Sequence, residues 1–451
     1  MGFKTDTIAA ISTAMTNSGI GIVRLSGEDA FSIIDKIYKG KRPKLLSEQK
    51  SHTIHYGYIK DPQSEEVLDE VLISVFRAPK TFTREDMVEI NCHGGIYITR
   101  KILRLLLANG ARLATRGEFT QRAFLNGRID LTQAEAINDM IAAEGASEAK
   151  LAVQGIRGSI KKLLDPFLEE LLDIIAHIEV NIDYPEYDDV EQLTNEVLLP
   201  KARDWAQKIN AILARANSGK IVKEGISTAI VGQANVGKNS LLNALLEEEK
   251  AIVTDIAGTT RDIVEGSIHL GAFTLHLIDT AGIRETQDTV EKIGIARSLK
   301  AIEEAQLVIV VLDGSKEADQ QDQELLEKTA DKNRIIVYNK KDISQAPSKE
   351  GIWISAANGE IDALIKEIHR RYDEHLIVLK EPSLANDRQI ALMMKAQQAM
   401  AQAITAMEAG MELDLVAIDI QEAYSALKEI LGEVHREDLL DALFSNFCLG
   451  K

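Results

Sequence analysis

The spacing of apolar positions changes along the chain, and each change predicts a different kind of element. Over the first 120 residues or so, short β-like runs at residues 20–25 (IGIVRL) and 71–76 (VLISVF) mix with helical spacing, as at residues 96–108. Thr132 and Glu135 then have capping-box spacing, which predicts a helix start with the Thr132 hydroxyl accepting from the Glu135 amide. Ile137, Met140 and Ile141 follow at helical spacing. Leu163, Leu164, Phe167, Leu168, Leu171, Leu172 and Ile175 continue a wide apolar stripe, which predicts long helices packed on one another. Residues 184–189 (YPEYDD) break that pattern, helix resumes towards Ala214, and Asn217, Ser218 and Gly219 read as a loop.

Beyond that point strand-like runs at residues 227–231, 275–278, 307–312, 334–338 and 352–355 alternate with helical segments, the signature of a parallel sheet with crossover helices. Glu381, Pro382 and Ser383 close this block, and from Leu384 onward the chain is again helix-rich. The expected architecture is multidomain, α/β plus all-α. An N-terminal α/β domain spans 1–119, the two halves of a helical domain span 120–220 and 380–451, and a nucleotide-type α/β domain is inserted at 221–379.

A length of 451 residues predicts roughly three domains at about 150 residues each. With 45% hydrophobic and 27% charged residues, the composition is that of a globular chain that buries substantial cores. No apolar run approaches the roughly 20 residues a bilayer span needs, and the start lacks the basic and apolar regions of a secretory signal. Two cysteines, Cys92 and Cys448, exclude a disulfide framework and make a reducing cytoplasm the expected compartment. The formal charge is 52 − 70 = −18, so any contact with nucleic acid needs a local basic surface. Lys36, Lys39, Lys41, Arg42 and Lys44 are the clearest such cluster; opposed by Asp35 and Glu48, they read first as a solvated loop.

Candidate chemistry begins at residues 232–238 (GQANVGK), between a predicted strand and a predicted helix. In that context glycines let backbone N–H groups turn around phosphate oxygens, the helix N-terminus favours negative charge, and Lys238 reaches the outer phosphates. Asn235, Val236, Gly237, Asn239 and Ser240 complete the expected phosphate contacts. The position after the lysine normally carries a hydroxyl that ligates Mg²⁺. Here it is Asn239, whose amide oxygen is a hard-cation ligand on a longer, bulkier side chain, and weaker Mg²⁺ binding is expected.

Asn339, Lys340 and Asp342 end a predicted strand, and a carboxylate at Asp342 can accept from the ring N–H and exocyclic amine of guanine, which predicts GTP. Ser355, Ala356 and Ala357 suit a backbone contact to the base edge. Asp279, Thr280, Ala281 and Gly282 end another strand near the expected Mg²⁺ and γ-phosphate, and Gly258, Thr259 and Thr260 occupy a switch position. Ile283 stands where Ras-type enzymes keep a water-orienting glutamine, so another group must orient water.

The strings GTTRD (258–262) and DTAGIRET (279–286), the interrupted helical domain and the terminal FCLGK (447–451) together resemble the MnmE (TrmE) family of tRNA modification GTPases. The resemblance extends to residues 21–27 (GIVRLSG), 82–86 (FTRED), 92–95 (CHGG), 116–120 (RGEFT) and 122–128 (RAFLNGR), and so runs from about residue 5 to 451. It implies a Ras-like P-loop GTPase domain inserted in the helical domain. It further implies a dimerising N-terminal domain that binds 5-formyltetrahydrofolate or a related one-carbon folate through Arg24, Glu89, Arg128 and Lys451. A homodimer with K⁺-stimulated turnover is implied, as are a heterotetramer with the flavoprotein MnmG, tRNA as substrate and no membrane. The modification is an aminomethyl or carboxymethylaminomethyl group at C5 of the wobble uridine. Asn235, Thr254, Ile256 and Thr259 fall on K⁺-ligating positions, Asp255 and Ala257 on the same loop, Thr260 with Asn239 on Mg²⁺, and Glu291 on the water-orienting position. Two other readings stand beside this one: a GTP-driven ribosome-assembly switch, and a nucleotide-binding scaffold disabled by Asn239.

Overall fold

In the computed structural model, residues 6–183, 195–248, 264–278, 300–344, 351–434, 437–445, 447 and 450 are described. The backbone divides into two compact units, Met1–Ile141 with Gly155–Leu172 and Tyr424–Lys451, and Ala142–Gln154 with Asp173–Ala423.

The first unit is built on a seven-stranded sheet. Strands β1 (Ile8–Ile11), β2 (Ser18–Ser26), β3 (Tyr38–Gly40), β4 (Thr53–Lys60), β5 (Val67–Phe76), β6 (Met87–Gly94) and β7 (Arg112–Leu113) lie in the order β3-β4-β5-β6-β2-β1-β7. All neighbours are antiparallel except β1 and β7. Helices α1 (Ala30–Ile37) and α2 (Ile96–Ala108) bury Ile33, Ile34, Ile37, Ile102 and Leu106 in one core with Val23, Leu25, Ile73 and Ile90. Because strand side chains alternate, burial of Val23 and Leu25 sends Arg24 to the opposite face, where its cross-strand partner is Glu89.

Helix α3 (Glu118–Leu125) opens after Gly117, which adopts φ +67°. A Cβ there would lie 2.8 Å from the Phe444 carbonyl oxygen, so only glycine admits the close approach. The next helix, α4 (Leu131–Ala142), corrects the expected cap. Asp130 accepts from the Gln133 amide at 2.9 Å and Gln133 returns the bond to the Asp130 amide at 3.0 Å, while the Thr132 hydroxyl only donates to Asp130 at 2.6 Å. The box is thus Asp130–Gln133; a carboxylate two residues upstream outcompetes the threonine. Glu135 is instead buried.

In the second unit, α5 (Ala146–Ile156) and α6 (Ser159–Asp183), each of which begins or ends outside it, lead to α7 (Asn195–Glu224). α7 runs without a break through residues 217–219, against the loop expected there, and carries the expected domain boundary at 220 inside it. Helix α7 lies antiparallel to the long helix Asp387–Glu408, with ion pairs Arg203–Glu408 at 2.6 Å and Lys220–Asp387 at 2.8 Å towards opposite ends. The residues misread as a loop are small because another chain segment crosses them: a Cβ on Gly219 would meet the Leu384 carbonyl oxygen at 2.3 Å.

The inserted sheet has the order β13-β12-β11-β8-β10-β9. Its strands are β8 (Ile226–Val231), β9 (Val264–Leu270), β10 (Phe273–Ile278), β11 (Leu307–Asp313), β12 (Arg334–Asn339) and β13 (Ile352–Trp353), and all pairs are parallel except β9 with β10. β13 is shorter than the expected run at 352–355. Strand β8 sits between β10 and β11, so the chain order reverses at its C-terminal end, where ligand crevices form in such sheets. Among the described residues no helix is long and apolar enough to cross a membrane.

Gly219→Ala tests the helix crossing. Helix propensity alone would stabilise α7 by about 1 kcal/mol. The clash with a backbone oxygen costs about 1–3 kcal/mol, so thermal denaturation should show a midpoint lowered by several degrees, and a raised midpoint would contradict the packing.

Candidate functional site

Helix α8 (Lys238–Glu248) starts directly after the phosphate loop, with Lys238 as its first residue. Asn235 and Gly237 have positive φ, +62° and +95°, the alternation that turns successive N–H groups to one side and forms an anion-binding concavity. Both glycines are required by their surroundings: a Cβ on Gly232 would lie 2.3 Å from the Val311 carbonyl oxygen, and one on Gly237 2.2 Å from Asn339 Nδ2. The Lys238 ammonium donates to the carbonyls of Gly232 at 2.9 Å and Gln233 at 2.7 Å. Burial lowers its pKa, so its charge is penalised until an anion arrives. Asn239 is exposed on the second position of α8, Ser240 is half-buried one residue on, and Val236 is buried beneath the loop.

Asn339 carries the contact that sequence alone did not reveal. Its Nδ2 donates to the Val236 carbonyl at 2.9 Å and its Oδ1 accepts from the Ala356 N–H at 3.0 Å, with the residue 3% exposed. One carboxamide therefore ties the phosphate loop, strand β12 and the 355–357 turn together. The Ala356 N–H, expected at a base edge, is used in this tie; Ala357 follows it and is exposed. Asp342 is also exposed, and the Ser355 hydroxyl donates to its Oδ1 at 2.6 Å, so the serine positions the carboxylate through its side chain. Lys340 takes left-handed φ (+64°) and its ammonium meets Asp313 at 2.7 Å. Burial pushes the Asp313 carboxyl up, but hydrogen bonds from Lys340 and Ser315 outweigh it and hold the group below the usual carboxylate range.

Thr254, Asp255, Ile256, Ala257, Gly258, Thr259, Thr260, Asp279, Thr280, Ala281, Gly282, Ile283 and Glu291 lie outside the described residues, as do Cys448 and Lys451.

A second constellation lies in the first unit. Arg24 Nε and Nη2 contact Glu89 Oε1 at 2.9 and 2.8 Å, leaving Oε2 without a donor among the described residues. Arg24 Nη1 donates to the Gly450 carbonyl at 3.0 Å, and the Ser12 hydroxyl donates to the same oxygen at 3.0 Å. The residue before Lys451 is thus held against the Arg24–Glu89 pair. Arg24 stacks over Phe119 and Arg128 over Phe82, at 5.5 and 5.0 Å, and the two rings share the small apolar cluster around Ile8 and Ala10. The sequence pointed to Arg24, Glu89 and Arg128, but not to Ser12, Gly450 or the two aromatic floors.

Beside it, Arg122 is enclosed by Asp6 at 2.9 Å, Glu118 at 3.0 Å and Glu85 at 3.1 Å, and Arg112 also pairs with Asp6 and Glu118. Hydrogen bonding from Arg112 lowers the Asp6 pKa; for Glu118, burial acts upward but the arginines prevail and the net shift is down. Cys92 is buried, with its thiol pushed up by burial to about 11, which makes it a core residue and a poor nucleophile. Gly94 beside it admits the Ser18 backbone, a Cβ there lying 2.5 Å from the Ser18 carbonyl oxygen, so the His-Gly-Gly turn serves backbone geometry. No group of three or more His, Cys, Asp or Glu residues among those described could hold a metal ion.

Comparison with known proteins covers both parts of the chain in which these constellations lie. A family model described as "MnmE helical domain" matches residues 131–448, and one described as "GTP-binding protein TrmE N-terminus" matches residues 7–128. The chain is 49% identical to the tRNA modification GTPase MnmE of Streptococcus gordonii over 99% of both chains. It is 50% identical to that of Lactococcus lactis subsp. cremoris over 99% of this chain and 98% of the relative. Since the likeness extends over both the phosphate-loop unit and the Arg24–Glu89 unit, the chain belongs to the MnmE family of tRNA modification GTPases.

Proposed function

We propose that this tRNA modification GTPase runs a K⁺-activated, Mg²⁺-dependent GTP cycle as a cytoplasmic homodimer. With the flavoprotein MnmG, it couples that cycle to aminomethyl or carboxymethylaminomethyl addition at C5 of a wobble uridine. In this reading, 1–119 binds folate and dimerises, 120–220 and 380–451 transmit motion, and 221–379 binds GTP.

The observation that carries the nucleotide half is the Asn339 tie, which joins the 232–238 loop and the 355–357 turn at the C-terminal ends of strands β8 and β12. In this reading, Lys238 exchanges the Gly232 and Gln233 carbonyls for the outer phosphates, and the inward N–H groups of residues 235–237 cradle the rest. Asp342, held by Ser355, accepts from guanine, whose donor pair an adenine lacks. Asn239 and Thr260 would hold Mg²⁺, an amide oxygen being a hard donor, and Asn235, Thr254, Ile256 and Thr259 would hold K⁺. When bound, the two ions would supply positive charge that offsets the negative charge developing on the phosphates. Glu291 orients the attacking water, which Ile283 cannot do.

The folate half rests on Glu89 Oε2. With Oε1 committed to Arg24, the second oxygen is available to the amide-like donor edge of a pterin. Arg128 and Lys451 supply cations for the glutamate tail.

Three outcomes are expected. GTP turnover by the full chain should be on the order of a hundredfold faster in K⁺ than in Na⁺; equal rates would remove the ion assignment. Asn239→Ser should tighten Mg²⁺-dependent GTP binding by on the order of tenfold, about 1.4 kcal/mol, measured by nucleotide displacement, whereas unchanged affinity would make the amide and hydroxyl equivalent. Glu89→Gln should weaken calorimetric binding of 5-formyltetrahydrofolate by about tenfold or more, because the lost bond involves a charged acceptor. No saturable signal from the parent protein would favour an assembly switch without folate chemistry.

A further inference from the structure

Lys36, Lys39, Lys41, Arg42 and Lys44 are all exposed, in a chain of net charge −18. The sequence sets Asp35 and Glu48 against them, but Asp35 forms no ion pair with them among the described residues. Its Oδ1 accepts from the Leu46 N–H at 2.6 Å, and its Oδ2 accepts from the Ser47 N–H at 3.2 Å and from the Ser47 hydroxyl at 2.5 Å. Both oxygens therefore serve the turn at 46–48. Lys36 reaches only the Asn109 carbonyl at 3.4 Å, and Lys39, Lys41, Arg42 and Lys44 have no ion-pair partner among the described residues.

The segment that carries these charges is firmly mounted. Arg77 donates to the carbonyls of Gln49 at 2.8 Å and of Ser47, and its guanidinium lies 4.4 Å from the centre of the Phe31 ring. The Tyr38 hydroxyl donates to the Tyr56 carbonyl at 2.8 Å. Lys39 stands on β3, the edge strand of the sheet, directly opposite Tyr58. Opposed residues share a sheet face, and Tyr56 lies two positions along the same strand on that face, 43% exposed and edge-on to Tyr58 at 5.9 Å. Unpaired cations on an edge strand and the segment that follows it, beside one exposed and one half-buried aromatic ring, are a combination that binds a nucleic-acid backbone and stacks an unpaired base.

We propose that the β3 edge together with the segment 41–44 that follows it is the surface that docks the phosphate backbone of the tRNA substrate, through Lys39, Lys41, Arg42 and Lys44, with Tyr56 and, beside it, Tyr58 presenting aromatic area to an unpaired base. The proposal rests on the reading that tRNA is the substrate. It reconciles an acidic chain with a polyanionic ligand by confining the attraction to one strip of the first unit.

The test uses the full chain carrying K39Q, K41Q, R42Q and K44Q together, an unmodified tRNA transcript, and fluorescence anisotropy between 50 and 200 mM salt. Loss of four phosphate contacts should make the slope of log affinity against log salt shallower by about 3 to 4, at roughly 0.9 per contact. Affinity at low salt should fall at least about tenfold, while turnover of GTP without tRNA stays at the parent value. Tyr56→Ala should weaken binding by about fivefold or more at an unchanged salt slope. If the parent binds tRNA and the fourfold variant matches it in affinity and slope, the edge is not the docking surface although the substrate reading stands. If the parent binds no tRNA, both fall. If the variant loses binding to phosphatidylserine vesicles but keeps tRNA, the strip faces a membrane and the proposal is wrong.

Discussion

The inserted domain depends on a buried carboxamide whose donor and acceptor are both committed, Asn339 Nδ2 to Val236 and Oδ1 to Ala356. An unmade buried hydrogen bond costs about 1–3 kcal/mol at each end, so the phosphate loop and the 355–357 turn cannot drift independently without leaving polar groups stranded. Gly237 is constrained by the same side chain, since a Cβ there would meet Asn339 Nδ2 at 2.2 Å. Loop glycine, strand-end asparagine and turn alanine thus form one unit. The distance between the ends of a bound nucleotide is set by the sheet, with strand β12 delivering Asn339 and β8 delivering the loop.

The first unit solves a different problem with the same economy. Arg24 is tied to Glu89 and to the Gly450 carbonyl, so the end of the chain is fastened to the sheet face by a side chain from β2. Gly450 takes φ +87° and a Cβ on it would lie 2.3 Å from the Ile11 carbonyl oxygen, so glycine is what lets the backbone at 450 lie close against β1.

Much of this was legible from period and spacing. The helix at 96–108 emerged with the expected bounds, and the strand runs at 20–25, 71–76 and 307–312 fall within the observed strands. What failed did so for identifiable reasons. Residues 217–219 carry loop-like chemistry, yet they continue a helix because Gly219 admits the Leu384 backbone, a tertiary demand invisible to local propensity. The capping box was read two residues late because Thr132 and Asp130 both satisfy the motif's chemistry, and only geometry separates them. Strand β9 alternates as VEGSIHL, but Gly266 leaves its apolar face short of side chains, and it gains its place by antiparallel pairing with β10. Motif spacing points to Lys238, Asp342 and Ser355, but it does not reveal contacts by which one residue holds another, such as the Ser355 hydroxyl on Asp342 and the Ser12 hydroxyl on the Gly450 carbonyl.

The ionic cluster around Arg122 shows what the RGEFT string and the first residue of RAFLNGR do in the fold. Arg122 is enclosed by three carboxylates and Arg112 meets two of the same three, so neither arginine can be withdrawn without leaving like charges facing one another in a half-dry site. Gly117 brings this cluster against Phe444, and Phe119 on the same helix forms the floor beneath Arg24. The motif therefore acts at one remove: it fixes the orientation of α3, and α3 fixes the aromatic surface against which the Arg24–Glu89 pair is held.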